Sequence, residues 1–171
     1  MSLIIAGSTS GTITLDTPAV AGTQTATLPS ATGTVMVSGN MPAFSVYQSG
    51  TQTLSSGVFT KLQLNVKVFD TATAFDATTN YRFTPLVAGY YQINGSAQYN
   101  ALANCLVSIY KNGSEFNRGQ QTTSYQTIVS SLIYLNGSTD YLELYGYISG
   151  GSTIVNNSTA TYFNGSMVRS A

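Results

Sequence analysis

Histidine and tryptophan are absent from this sequence of 171 residues, and cysteine occurs only once. Without histidine, neither a Ser-His-Asp triad nor a Cys-His nucleophile can form. A zinc site would have only Cys105 and carboxylates as ligands, and a single cysteine excludes an intrachain disulfide framework. Because Cys105 lies in the apolar run 102–110, we expect a small buried side chain rather than a reactive thiol.

Charged residues are also scarce, at 7% of the chain, whereas an average soluble domain has about 25%. Six basic and six acidic residues cancel to a net charge of zero. The basic residues are scattered, at Lys61, Lys67, Arg82, Lys111, Arg118 and Arg169. Basic residues scattered in this way do not indicate a surface that binds the phosphates of nucleic acid. A surface so poor in charge favours self-association, so we expect other copies of the chain as partners.

The acidic residues form no dense cluster in the sequence. Asp70 and Asp76 flank a short loop, where we expect Asp76 to cap a turn rather than to bind calcium. Asp140 and Glu143 have an odd spacing along one apparent strand, so they should face opposite sides of a sheet and not act as a glycosidase pair. We therefore predict no enzymatic activity, no cofactor and no metal ion.

Long apolar runs are missing too, since none reaches the length of a membrane-spanning helix. The start of the chain, residues 1–7, is too short for a signal peptide and lacks its positive flank. We therefore expect no membrane insertion, and synthesis in a cytoplasm without export by that route.

The residue types that are present divide the chain into two zones of different composition. Residues 1–40 are rich in Gly, Thr, Ser, Ala and Val and contain no aromatic residue, whereas Tyr and Phe recur in residues 41–171. Gly-Thr pairs recur at an equal spacing, starting at Gly11, Gly22 and Gly33, and a short alternating stretch follows each. Such short strands need neighbours to bury a face. We divide the chain into an arm (1–40), which is either a fibre or docking segment or a flexible linker, and a head (41–171).

The head has the pattern of β-strands throughout. Residues 59–68 alternate cleanly, which predicts one half-buried strand. Its apolar face would consist of Leu62, Leu64, Val66 and Val68. Residues 91–99 alternate in the same way, while residues 128–135 are apolar on both faces, as expected of a central or interfacial strand. Asn112-Gly113 and Asn136-Gly137 predict tight hairpins, and many short strands with regular turns are typical of a sandwich or jelly roll.

Five motifs occur in the head in a fixed order. They are Ala43-Phe44-Ser45-Val46, Phe59-Thr60-Lys61-Leu62, the stretch 75–91 that ends in Gly89-Tyr90-Tyr91, Val107-Ser108-Ile109-Tyr110-Lys111-Asn112-Gly113, and Thr161-Tyr162-Phe163-Asn164-Gly165. In this order they resemble the globular domain of complement component 1q-like proteins, relatives of the tumour necrosis factor (TNF) ligands. The resemblance covers residues 43–169, and Ile93 departs from it, because the family usually has Phe there.

This resemblance implies an all-β, ten-stranded antiparallel jelly-roll sandwich that assembles as a homotrimer, with the arm as an extended β-rich segment. A sandwich with an apolar outer face must cover that face, and a closed threefold contact does so without leaving free edges. The resemblance places Tyr91 and Phe163 near the protomer core or the threefold axis, and Gly89 and Gly165 where backbones approach closely. The full set of core or trimer residues is Phe44, Phe83, Gly89, Tyr91, Phe163 and Gly165.

The arm resembles segments that are common in bacteriophage tail fibres and other virion structural proteins, chiefly in the runs 11–23 and 26–35. We therefore predict a non-enzymatic virion structural protein, either a fibre tip or a capsid or tail decoration. It would be made in the host cytoplasm, located in the virion, and held to other virion proteins through residues 1–40.

Tyrosine is in excess, with 12 copies. Four of them could form a surface that binds a host glycan or protein: Tyr125, Tyr141, Tyr145 and Tyr147. The alternative, which β propensity favours, is that most of these rings lie in the core or in trimer contacts. A receptor-binding module is thus the second function that we consider, and a secreted complement-like or cytokine-like ligand is the third.

Overall fold

The structure is a computed structural model that describes residues 3–16, 18–20, 22–23, 25, 35–37, 39, 41–150, 152–154 and 157–171. The chain divides into two compact units, Met1–Gly33 and Thr34–Ala171. The boundary predicted after residue 40 lies within the second unit, where Met36 packs against the core.

The first unit contains an antiparallel hairpin of β1 (Leu3–Ala6) and β2 (Thr12–Leu15). Gly11, with a φ of 78°, accepts a backbone hydrogen bond from Gly7 in the connecting turn. The stretch after the first Gly-Thr pair is therefore a strand, as predicted. Residues 24 and 26–34, which hold most of the other two repeats, lie outside the described residues. The alternating stretch 35–37 is not a strand.

The second unit consists of antiparallel strands. They are β3 (Ala43–Tyr47), β4 (Gln52–Leu54), β5 (Thr60–Lys61), β6 (Val66–Asp70), β7 (Phe75–Asp76), β8 (Arg82–Phe83), β9 (Gly89–Gln98), β10 (Asn104–Lys111), β11 (Ser114–Arg118), β12 (Thr122–Thr123), β13 (Gln126–Leu135), β14 (Leu142–Ile148), β15 (Ser152–Ile154) and β16 (Tyr162–Ser170).

Two large sheets enclose the core. Sheet I has the strand order β13-β9-β16-β3-β6. Sheet II has the order β11-β10-β14-β8-β7, with β12 beside β10 and β5 beside β14, and β4 and β15 form a separate pair. This arrangement confirms the predicted all-β antiparallel jelly roll, in which several strands are pieces of two or three residues.

Alternation along each strand fills the space between the sheets. The predicted inward set of β9 and of the residue that follows it is fully or almost fully buried: Tyr91, Ile93, Ala97 and Tyr99. Val107, Ile109 and Leu144 meet it from sheet II, each with no exposed surface.

The strand predicted over residues 59–68 is wrong, because the structure has two strands there, in different sheets. β5 pairs with β14 in sheet II and β6 pairs with β3 in sheet I, so residues 62–65 cross between the sheets. Leu62 and Leu64 are fully buried in this crossing, but Val68 is 64% exposed. A bulge in the β3–β6 pairing, between Lys67 and Phe69, interrupts the alternation that the sequence suggests.

The Asn112-Gly113 pair forms the predicted tight hairpin. It joins β10 to β11, with Lys111 opposite Ser114. Asn112 has a φ of 53° and Gly113 a φ of 79°, and two consecutive positive values are what such a two-residue turn requires.

The second predicted hairpin, at Asn136-Gly137, is wrong because β13 and β14 belong to different sheets. A longer loop connects them, and the Asn136 side chain organises it. Its Oδ1 atom accepts hydrogen bonds from the backbone N–H groups of Ser138, Thr139 and Asp140, each 3.0 Å long. Asn-Gly therefore marks a turn in both places, but only the first turn keeps the chain in one sheet.

β13 holds the predicted strand that is apolar on both faces. It lies at an edge of sheet I, so it is not a central strand. Val129, Ile133 and Leu135 point into the core. Its other apolar residues lie on the opposite side of the sheet.

Candidate interaction surfaces

The four predicted aromatic core residues lie inside the protomer. Phe44, Phe83, Tyr91 and Phe163 have no exposed surface. The Phe44 and Phe83 rings stack with centroids 4.1 Å apart, and Phe163 meets Phe44 edge-on at 5.2 Å. The Tyr91 hydroxyl donates a 2.7 Å hydrogen bond to the Val87 carbonyl. Of the two sites that the resemblance allowed for Tyr91 and Phe163, the structure places both in the core.

Gly89 and Gly165 both lie at close approaches in sheet I. A Cβ atom on Gly165 would lie 2.5 Å from Ile93 Cδ1 and 2.8 Å from the Gln92 carbonyl oxygen. On Gly89 it would lie 2.5 Å from the carbonyl oxygen of Arg169. Only glycine leaves the neighbouring strands at their present spacing.

The four tyrosines predicted as a ligand surface differ in exposure and in surroundings. Tyr145 and Tyr147 are half-buried on the outward side of β14. Tyr141 lies beneath the Arg82 guanidinium, 4.4 Å from its ring centroid. Tyr125 is 49% exposed and precedes β13. Of the four, only Tyr125 is exposed, so the structure does not present these rings as one exposed patch.

Tyr145 and Tyr147 belong to an aromatic cluster on the outward side of sheet II. Tyr145 stacks on Tyr110 at 3.9 Å, and Tyr147 lies 5.1 Å from Phe59. Arg118 covers Phe59 at 5.2 Å. The rings thus cover one another, and burial raises the pKa of the Tyr110 and Tyr145 hydroxyls.

Ion pairs surround this aromatic cluster. Arg118 donates two hydrogen bonds to the Glu115 carboxylate, of 2.8 and 2.6 Å, and they hold the pKa of that carboxyl below its usual value. Ser108, which is fully buried, donates to the same carboxylate at 2.7 Å. Lys61 pairs with the nearly buried Glu143 at 2.9 Å. The charges of these two ion pairs are thus satisfied within the chain.

The outward side of sheet I is different, and we call it the open face. Exposed apolar side chains line it: Tyr90, Ile128, Leu132, Tyr134 and Phe69, with exposed fractions between 39% and 64%. The cross-strand register of β13, β9, β16, β3 and β6 arranges its residues in rows. Tyr134, Tyr90 and Arg169 form one end row, where the two rings lie 5.5 Å apart and the Arg169 guanidinium lies 5.9 Å from the Tyr90 ring centroid.

A row of uncharged polar side chains crosses the middle of the open face. We call it the polar row, and it consists of Ser130, Asn94, Asn164 and Ser45 in direct cross-strand register, together with Gln92 of the next row. Ser130 donates to Asn94 Oδ1 at 2.8 Å, and Asn94 Nδ2 donates to Asn164 Oδ1 at 3.1 Å. Gln92 Nε2 donates to Ser130 at 2.8 Å. These bonds hold the side chains of three strands in one arrangement.

A shallow depression of about 260 Å³ lies over the polar row. Small residues surround it, among them Ala43, Ser45 and Ser166, and Phe69 lies at its side. The sequence interpretation missed both the depression and the polar row. The signal was the sequence of outward positions in β9, where Gln92 and Asn94 follow Tyr90, but cross-strand partners are visible only in the fold.

The acidic side chains and the cysteine thiol discussed for the sequence have hydrogen-bonding or ion-pair partners within the chain. The backbone N–H groups of Thr79 and Thr78 donate to Asp76 and lower its pKa, so this residue caps a turn as expected. The Asp140 carboxylate forms an ion pair with Lys111 at 2.8 Å, whereas Glu143 pairs with Lys61, so the two acids have different cationic partners. Burial raises the pKa of the Cys105 thiol, which donates to the Ser124 carbonyl.

Among the residues that the structure describes, no three His, Cys, Asp or Glu side chains are grouped as metal ligands. The same residues include no helix long and apolar enough to span a bilayer.

Comparison with known proteins gives similarity of fold without similarity of sequence. No family model matches the chain, and no curated protein matches it. Murine APRIL matches with a TM-score of 0.58 and 10% identity, covering 75% of this chain and 99% of its own. The globular domain of zebrafish complement 1qA matches with a TM-score of 0.56 and 15% identity, covering 76% and 98%. Eiger TNF from S. frugiperda matches with a TM-score of 0.57 and 11% identity, covering 77% of this chain and 93% of its own.

These similarities confirm that the chain contains a complement 1q-like and TNF-like jelly roll, as the sequence motifs indicate. At 10% to 15% identity the likeness is one of fold.

Proposed function

We propose that this protein is a non-enzymatic structural and binding module that works as a homotrimer, with the open face as its contact between copies. The observation that carries the proposal is the set of exposed apolar side chains on that face, whose central rows hold no charged side chain among the described residues. Large exposed apolar patches on a folded domain mark interaction sites, and the cores of such sites are depleted of charge and enriched in aromatic residues. The trimer is the assembly that the family resemblance implies, and its threefold contact can close without a free surface.

Self-association is tested by removing apolar side chains from the β13 edge. We expect the wild-type chain to sediment as a trimer and the double variant Ile128→Ser/Leu132→Ser to dissociate to monomers at micromolar concentration, because both side chains lie exposed on the open face. Leu86→Ser is the matched control, since Leu86 is 76% exposed but lies outside the strands. A trimeric double variant with an unchanged circular dichroism spectrum would exclude this contact.

We further propose that the trimer is a fibre tip or a capsid or tail decoration of a virion, with residues 1–40 attaching it to other virion proteins. The support is the Gly- and Thr-rich repeat of the arm, with its resemblance to bacteriophage fibre segments. Immunogold labelling of purified particles should place the protein on the virion. Its absence from particles, together with its presence in the medium of producing cells, would favour a secreted ligand instead, and the fold shared with murine APRIL and Eiger TNF supports that second candidate.

Recognition of a host glycan or protein remains the additional role that we propose for the outer loops. Tyr125 is the exposed ring among the four predicted tyrosines. We expect saturable binding of the trimer to host cells, and Tyr125→Ser should weaken that binding while Tyr145→Ser, within the aromatic cluster, should chiefly lower stability.

A further inference from the structure

Apolar contacts alone do not determine how two sheet surfaces align. Hydrophobic burial is non-directional, so Ile128 and Leu132 could pack against apolar neighbours in several registers at similar free energy. A hydrogen-bonding group is more selective, because burying it without a partner is costly. The polar groups of the open face therefore limit which alignments between copies are stable.

Asn94 lies at the centre of these polar groups. It accepts from Ser130 on one side and donates to Asn164 on the other, and Gln92 continues the network. Asn164 also lines the depression, and its Nδ2 group donates to no described residue of this chain. The network thus holds an unused pair of N–H donors in a defined position beside a concave surface.

A second copy of this chain is the partner that suits the surface. The described residues in the central rows of the open face include no charged side chain, so they offer no complement to a phosphate, an anionic membrane or a charged peptide. The chain itself has a net charge of zero and presents exposed Ile128 and Leu132 on β13. A depression of about 260 Å³ can take in such an apolar side chain.

We propose that the polar row fixes the register of this contact and thereby the number of copies in the assembly, while the apolar residues supply the affinity. The inference rests on the proposed self-association through the open face. Its physical basis resembles that of a single buried Asn in a coiled coil, which specifies oligomer state at some cost in stability.

Asn→Leu substitutions test the proposal, because the two side chains have similar shapes. In Asn94→Leu the Asn164 carbonyl oxygen loses its donor, and we expect association about tenfold weaker than in the wild type. In Asn94→Leu/Asn164→Leu both partners are apolar, so association should recover. The single trimeric mass should then be replaced in native mass spectrometry by a mixture of oligomers. Asn117→Leu on β11 of sheet II is the control and should leave one trimeric species.

The outcomes separate the inference from the proposed function. A double variant that forms only trimers, with the wild-type dissociation profile, would overturn the specifying role and leave the trimer intact. A double variant that stays monomeric while its circular dichroism is native would also overturn it, because the network would then supply affinity. A monomeric wild-type chain would refute self-association itself, before any variant is compared.

Discussion

The few charged side chains of this chain stabilise its local structure through ion pairs and hydrogen bonds. Lys67, Lys111 and Arg118 each pair with a nearby carboxylate. Asp76 has backbone and Asn80 donors instead of a cation. A few acidic side chains with ion-pair or hydrogen-bonding partners therefore stabilise the loops of the head. Removing one of these carboxylates should measurably lower the free energy of unfolding.

Asp76→Asn should lower the free energy of unfolding at pH 7 by about 1 kcal/mol, because an amide nitrogen cannot accept the bonds that one carboxylate oxygen now accepts. The folded-state pKa of Asp76 lies below its unfolded value. Its stabilisation is therefore complete above the unfolded pKa of about 3.9 and declines as the pH falls toward the folded value. Urea unfolding at pH 7 and pH 3 should show a smaller difference between variant and wild type at pH 3. An equal difference at both pH values would contradict this account.

Gly165→Ala should destabilise the head by about 2 kcal/mol, since the added methyl group would meet both Ile93 and the backbone oxygen of Gln92. Gly39 is the matched control, because a Cβ atom there meets no atom within 4 Å. Thermal unfolding of the two variants measures the contrast. Similar melting temperatures would show that the strands have room to separate.

Among the elements, β9 was predictable and the segment 59–68 was not. The inward residues Tyr91, Ile93 and Ala97 of β9 alternate with polar residues, although Ser96 is buried as well, and the hydrophobic period identifies that face. Residues 59–68 show the same period, but the period does not reveal which sheet a residue joins. Leu62 and Leu64 would be buried in either case, so their apolar character could not show that the chain crosses between sheets there.

Alanine substitutions distinguish the crossing from a continuous strand. Leu64→Ala should cost about 3 kcal/mol, since Leu64 is completely buried. Val68→Ala should change stability by less than about 0.5 kcal/mol, because Val68 is exposed. Chemical denaturation of both variants provides the measurement. Equal losses would support the single half-buried strand that the sequence suggests.

For the whole molecule, the jelly roll was predictable because its motifs lie at separate points of the chain and each contributes buried residues to the core. Phe44, Phe83 and Phe163 are far apart in sequence and meet in one aromatic group. The open face was only partly predictable. The two-sided apolar character of β13 pointed to an interface, whereas the polar row needs the register of four strands, which no local pattern contains.

Two truncations test where the folded head begins. Removing residues 1–33 should leave the melting temperature unchanged, since the core extends from Phe44 to Met167 with Met36 packed against it. Removing residues 1–40 also deletes Met36 and should lower stability by about 1 kcal/mol through lost apolar burial. Differential scanning calorimetry of both fragments measures the effect. A large loss in the shorter truncation would place essential contacts in residues 1–33.

The first and last long strands of the head, β3 and β16, run antiparallel, with Ala43 opposite Ser166 and the Met167 N–H bonded to the Pro42 carbonyl. The chain thus enters and leaves the sandwich at the same end. A pulling force applied at residue 42 and at the carboxyl terminus would open the β3–β16 bonds one after another, like a zipper, instead of shearing them together. The head should accordingly be a mechanically soft element under tension between its ends, and its resistance to load would have to come from neighbouring copies.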